Sequence, residues 1–146
     1  MKELSLAIQG ASKFDQLPAR STVLRWVQAA LEAPAQLTLR YVDADEGGSL
    51  NRQFRGKDYA TNVLTFDYAH EPLVMADLVI CVPVLVREAA EQGKTFRDHL
   101  AHLVVHGVLH AQGYDHESDQ EAECMEAREI EVLAALAIAN PYATEE

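Results

Sequence analysis

The chain has 146 residues, 49% hydrophobic and 24% charged; that suffices for one domain spanning residues 1–146 with its own core and excludes a disordered polymer. Its longest apolar run, Leu78 to Val86, covers nine residues interrupted by Pro83, about half of what a membrane span needs. A formal net charge of −11 argues against a phosphate-binding surface, and two cysteines, Cys81 and Cys124, make no disulfide framework.

Taken in order, Met1 to Ser5 carries neither a long apolar stretch nor a cleavage-like site, so a cytoplasmic protein that does not engage a membrane is expected. Leu4 to Gln9 alternates and reads as a first strand. Val23, Leu24, Val27 and Leu31 recur at helical spacing downstream of Pro18, so Ser21 to Leu31 reads as a helix with Trp26 on its core side. Leu37, Leu39 and Tyr41 alternate with polar residues as a second strand. Gly47-Gly48 precedes a short helix over Ser49 to Phe54. Asn62 to Tyr68 and Asp77 to Val82 are β-rich and close together, a hairpin or two neighbouring strands, with Cys81 as a buried thiol. Pro83 opens a helix to Gln92 that Gly93 closes. Phe96 to Gln112 is a second helix, ended by Gly113. Ser118 with Glu121 is a capping-box pattern, so a last helix runs from there to about Ile138, where Asn140-Pro141 stops it. Met125, Val132, Leu133 and Leu136 form its inner face and Cys124 its flank. Strands early and helices late predict an α+β fold, a small, mostly four-stranded sheet covered by about five helices.

The acidity is localised. From Tyr114 to Glu146 there are ten acids and one base, Arg128, so nine of the eleven net negative charges lie after Gly113. These acids are expected mostly on the exposed face of the last helix.

Residues 106–116 read His-Gly-Val-Leu-His-Ala-Gln-Gly-Tyr-Asp-His. His106 and His110 are four apart, one turn of helix, and can reach one ion. Gly113 turns the chain so that His116 returns to the same point. Three neutral imidazoles with a position left for water is the catalytic type of zinc site, and this predicts a three-His metal site at the end of that helix. Imidazoles also suit copper, nickel and iron, so zinc rests on its abundance. The bland alternative is a His-rich helix at a core edge. His102 and His106 share the same spacing, but His116 folds back only onto the helix end; His99 and His102 read as solvated or hydrogen-bonded helix residues. The same His spacing occurs in metzincin proteases, which carry a glutamate base after the first His. Here that position is Gly107, which has no side chain to take a proton.

Arg52, Arg55 and Lys57 fall within six residues. They read equally as a solvated turn or as a contact for phosphate, which a guanidinium binds bidentately. The stretch Leu50-Asn51-x-x-Phe54-Arg55-Gly56-Lys57-Asp58, then Thr61 to Phe66, Asp77 to Cys81 and the three-His segment with Tyr114-Asp115 before its last His, resembles the YbeY family of bacterial single-strand endoribonucleases of ribosomal RNA maturation. The resemblance spans residues 37 to 138. Thr65, Ala76 and a short Asp67 to Met75 segment depart from the family pattern.

The resemblance implies one Zn2+ per chain on His106, His110 and His116, with Arg55 as the functionally important arginine and all four as the catalytic set. It implies single-stranded or ribosomal RNA as substrate, near the 3′ end of small-subunit rRNA, with a role in ribosome quality control. Ribosomal small-subunit proteins or assembly factors are the implied partners. The residues agree: a metal lowers the pKa of bound water to about 7 without a carboxylate, and an arginine offsets charge building on phosphorus. Asp115 reads either as orienting a ligand His or as a turn residue. Two other readings stay open: a zinc metallopeptidase-like hydrolase, and a non-catalytic, metal-stabilised ribosome-assembly factor.

Overall fold

The computed structural model of the chain describes residues 2–57 and 60–143; Asp58 of the basic cluster and the terminal acids Glu145 and Glu146 lie outside them. Four strands, β1 (Leu4–Gln9), β2 (Ala35–Val42), β3 (Val63–Ala69) and β4 (Val74–Cys81), form one sheet in the order β1-β2-β4-β3. The described helices are α1 (Arg20–Ala30), α2 (Ala44–Arg55), α3 (Val82–Gln92), α4 (Phe96–Ala111) and α5 (Asp119–Ala135), with one 3-10 turn at Ala11–Lys13. β1, β2 and β4 run parallel, and β3 returns antiparallel to β4 as an edge strand, Val63 opposite Ile80. The α+β fold read from the sequence is the fold observed.

Period-two alternation sorts the strands between two clusters. Leu37, Leu39, Leu78 and Ile80 face the larger one, which also holds Val23, Trp26 and Val27 of α1, much of α4, and Met125, Val132 and Leu133 of α5. Val79, Cys81 and Leu64 face the smaller one on the opposite side, with Val42, Val84 and the half-buried Leu50 and Phe66. Burial pushes the Cys81 thiol pKa up, the inert behaviour expected of it, while Cys124 is free and exposed.

Three boundaries differ from the sequence reading. Helix α2 starts at Ala44, five residues early, because Asp43 caps it by accepting from the Glu46 amide at 2.8 Å. The Gly47-Gly48 pair is therefore helical and does not break the chain. The smallness of Gly47 is used, since a Cβ there would sit 3.1 Å from Cys81 Sγ. Strand β4 begins at Val74, where pairing with Ala35 extends the register. Helix α5 ends at Ala135: Ala137 takes φ 63° and the Ile138 amide folds back onto the Leu133 carbonyl at 2.8 Å.

α4 is the centre of the molecule. Leu100, Ala101, Leu103, Val104, Val105, Gly107, Val108, Leu109 and Ala111 are all buried, so apolar contacts surround it on most sides. Thr95 caps it, accepting from the Asp98 amide at 3.1 Å. Gly107 lets it approach the sheet: a Cβ there would fall 2.5 Å from Leu78 Cδ2 and 3.2 Å from Leu78 Cγ. Leu78 is 1% exposed and packed within the larger core cluster. Gly107→Ala is therefore expected to lower stability by about 1–3 kcal/mol through overpacking, against the roughly 1 kcal/mol that alanine gains in a helix. Denaturant unfolding would measure it, and adding Leu78→Val should recover part of the loss.

Candidate metal centre and its cleft

Three imidazoles meet where α4 ends. His106 and His110 project from its last two turns; Gly113, at φ +107°, turns the chain, and the Tyr114 amide bonds back to the Leu109 carbonyl at 3.2 Å. That turn brings His116 over the helix end. The ring centroids form a triangle of 6.4 Å (His106–His110), 5.8 Å (His106–His116) and 6.1 Å (His110–His116).

Two of these rings have one nitrogen committed. His110 Nδ1 donates to the Tyr114 carbonyl at 2.9 Å, and His106 Nδ1 donates to Glu129 Oε1 at 3.3 Å. A protonated Nδ1 leaves the Nε2 lone pair available, the tautomer a ligating histidine needs. The donor chemistry thus fits a transition-metal ion. Among the described residues no three His, Cys, Asp or Glu side chains converge closely enough to enclose one as they stand. His106, His110 and His116 would supply three neutral nitrogen donors to such an ion.

A cleft of about 760 Å³ runs past the triangle between the end of α4 and edge strand β3. His106, His110, His116, Asp115, Glu117, Phe54, Arg55 and residues 61–66 line it. Arg55, from the last turn of α2, shares this cleft; Arg52 and Lys57 are exposed nearby but do not line it. Among the described residues the lining thus carries one arginine, Arg55, against two carboxylates, Asp115 and Glu117, so a bound dication would turn its formal charge positive. Asp115 accepts from the His116 amide at 2.7 Å, the local bond of a turn residue.

The carboxylate behind the triangle is one that the sequence reading did not single out from the ten acids after Gly113. Glu129 is 1% exposed. Its Oε1 accepts from His102 Nε2 at 2.8 Å, His106 Nδ1 at 3.3 Å and the Tyr142 hydroxyl at 3.0 Å, joining α4, α5 and the C-terminal segment. The available signal was its register: Glu129 stands in the same helical stripe as Met125, Val132 and Leu133. His99 is likewise hydrogen-bonded, Nε2 donating to Glu88 Oε1 at 2.9 Å, while Glu88 also accepts from Asn62 of the cleft at 3.2 Å. Burial lowers the His99 pKa despite Glu88.

The Glu129 carboxyl has an acid-range consequence. Burial alone would raise its pKa, but the bonds and charge of His102 and His106 outweigh it and hold the pKa at about 2, below the ordinary 4.5. A depressed folded-state pKa stabilises the fold above the unfolded value and is lost as pH falls through the interval between the two. Unfolding midpoints should fall as pH drops from about 4.5 toward 2. Glu129→Gln should flatten that dependence and cost about 1–3 kcal/mol at neutral pH, because a neutral amide accepts the same donors less well.

Comparison with known proteins bears on the whole chain. The sequence model of the family described as Endoribonuclease YbeY matches residues 8–137. The Endoribonuclease YbeY of Methylibium petroleiphilum is 60% identical over 141 residues, 97% of this chain and 94% of that protein. The one from Herminiimonas arsenicoxydans is 59% identical over 149 residues, 96% of each. The solution structure of TM1509 from Thermotoga maritima superposes with a TM-score of 0.59 at 28% identity, over 96% of this chain and 97% of that one.

Proposed function

The chain belongs to the Endoribonuclease YbeY family, and from that premise we propose that it is a zinc-dependent endoribonuclease cutting single-stranded RNA. Its substrate would be ribosomal RNA near the small-subunit 3′ end, in maturation and ribosome quality control, in the cytoplasm and alongside ribosomal small-subunit proteins or assembly factors. No described helix is long and apolar enough to cross a membrane. The supporting observation is the shared cleft, with three imidazoles at 5.8–6.4 Å and an arginine on one lining.

In this reading His106, His110 and His116 hold one Zn2+. The ion when bound supplies a water acidic enough to ionise near pH 7, and it offsets phosphate charge. The Tyr114 carbonyl and Glu129 hold the His110 and His106 rings in the donating tautomer. Arg55 pairs with the scissile phosphate through its forked guanidinium, strengthening as charge grows on the non-bridging oxygens. The peptidase alternative meets a packing obstacle at Gly107. A glutamate there would run into Leu78, so the chain has no room for a carboxylate base at that position.

Arg55→Ala should keep fold and metal but lose on the order of a hundredfold in cleavage of unstructured RNA; equal cleavage by that variant would remove the phosphate role. His110→Ala should lose metal, measured by elemental analysis, together with cleavage. Chelator-stripped protein should also lose RNA affinity, since the lining without a dication has two carboxylates against one arginine. A stripped protein that binds RNA as tightly as the loaded one overturns this electrostatic account.

A further inference from the structure

Phe54 stands one residue before Arg55 on the last turn of α2 and is 57% exposed. Leaving most of a phenylalanine ring in water forgoes the stabilisation its burial would bring. The ring is nonetheless held: it meets Phe66 of β3 edge to face, with centroids 5.2 Å apart and planes at 71°. Both rings line the cleft with Arg55 and the three histidines.

An exposed aromatic ring and the guanidinium of the next residue of α2 line the same cleft and so present two chemistries to one ligand. One accepts a flat π surface; the other accepts an anion. A nucleotide offers the same pair, a base and its own phosphate. Resting on the endoribonuclease reading above, we propose that Phe54, braced by Phe66, is a stacking platform for the base of a nucleotide whose phosphate Arg55 engages. A base inside a duplex has both faces covered by its neighbours and cannot reach the platform; an unpaired base can. Single-strand selectivity thus arises at a ring beside the metal cleft and needs no base-edge hydrogen bonds. A protein partner or a second copy of this chain would use the ring as an apolar anchor and have no need of the adjacent arginine within the cleft.

The test uses metal-loaded full-length protein and a labelled, unstructured oligoribonucleotide with a non-cleavable scissile linkage, its bases replaced one at a time by abasic sites. On the parent protein one abasic position should weaken binding roughly tenfold. On Phe54→Ala binding should already be weaker by that factor, and the same abasic position should cost nothing more. Phe54→Trp should restore the base dependence. Tyr68, 65% exposed on the same strand as Phe66 but outside the cleft lining, supplies the control: Tyr68→Ala should keep the parent profile. The platform is overturned if the abasic profile is unchanged in Phe54→Ala while the parent still cuts RNA, which leaves the nuclease reading standing. It is also overturned if Phe54→Ala dissolves a dimer and leaves RNA binding intact. A parent that cuts no RNA beyond the His110→Ala background overturns both readings.

Discussion

A helix buried on nearly every side can carry histidines only where something accepts their protons, and this constraint organises the molecule. α4 is walled by the sheet and by α1, α3 and α5, yet it bears His99, His102, His106 and His110. Three elements answer the four: Glu88 on α3 for His99, Glu129 on α5 for His102 and His106, and the Tyr114 carbonyl of the turn for His110. A neutral imidazole donates through one nitrogen only, so every bond fixes which nitrogen stays open. Towards the N-terminal part of α4 the open nitrogens of His99 and His102 are buried without a hydrogen-bond partner. At the C-terminal end the open nitrogens belong to rings lining the cleft. The same helix thus buries its open ring nitrogens at one end and presents them to the cleft at the other.

The charge distribution follows from that arrangement. Of the six acids on α5, Asp119, Glu121, Glu123 and Glu131 face solvent. One, Glu129, is turned inward, where it accepts from two imidazoles and a tyrosine hydroxyl. A buried carboxylate is tolerable only when fully hydrogen-bonded, and Glu129 meets that condition with three donors. The exposed acids of α5 then keep negative charge on the outside, while Arg55 stands in the cleft lining beside Asp115 and Glu117.

Much of this was legible in the sequence. Apolar periodicity, β-rich stretches and cap or breaker residues located the four strands and five helices of the described residues, and Gly113 with the His spacing pointed to the rings that line the cleft. What escaped was set by contacts between segments distant in sequence. Gly47-Gly48 reads as a breaker locally, but Asp43 caps the helix and Cys81 packs against Gly47 across the sheet. Glu129 reads as one acid among ten until its apolar-stripe register is weighed against the two histidines that α4 sets opposite it. The cleft's balance of charge could not be counted without knowing that Arg52 and Lys57 miss the lining.

Gly107 links packing to chemistry most directly. Its missing side chain lets α4 lie close enough to β4 for His106 and His110 to reach the rim of β3, where Thr61 to Phe66 and Arg55 share their cleft. A side chain there would crowd Leu78 at the contact between helix and sheet. The close approach that assembles the cleft is therefore also what denies it a carboxylate base beside the first histidine. Peptide hydrolysis suffers most from that loss, because its amine leaving group must be protonated. A phosphodiester expels an alkoxide that a cation can stabilise, and its transition state gathers charge on oxygens that a guanidinium can bracket. The packing of one glycine against one leucine thus favours phosphate chemistry over peptide chemistry before any substrate is considered.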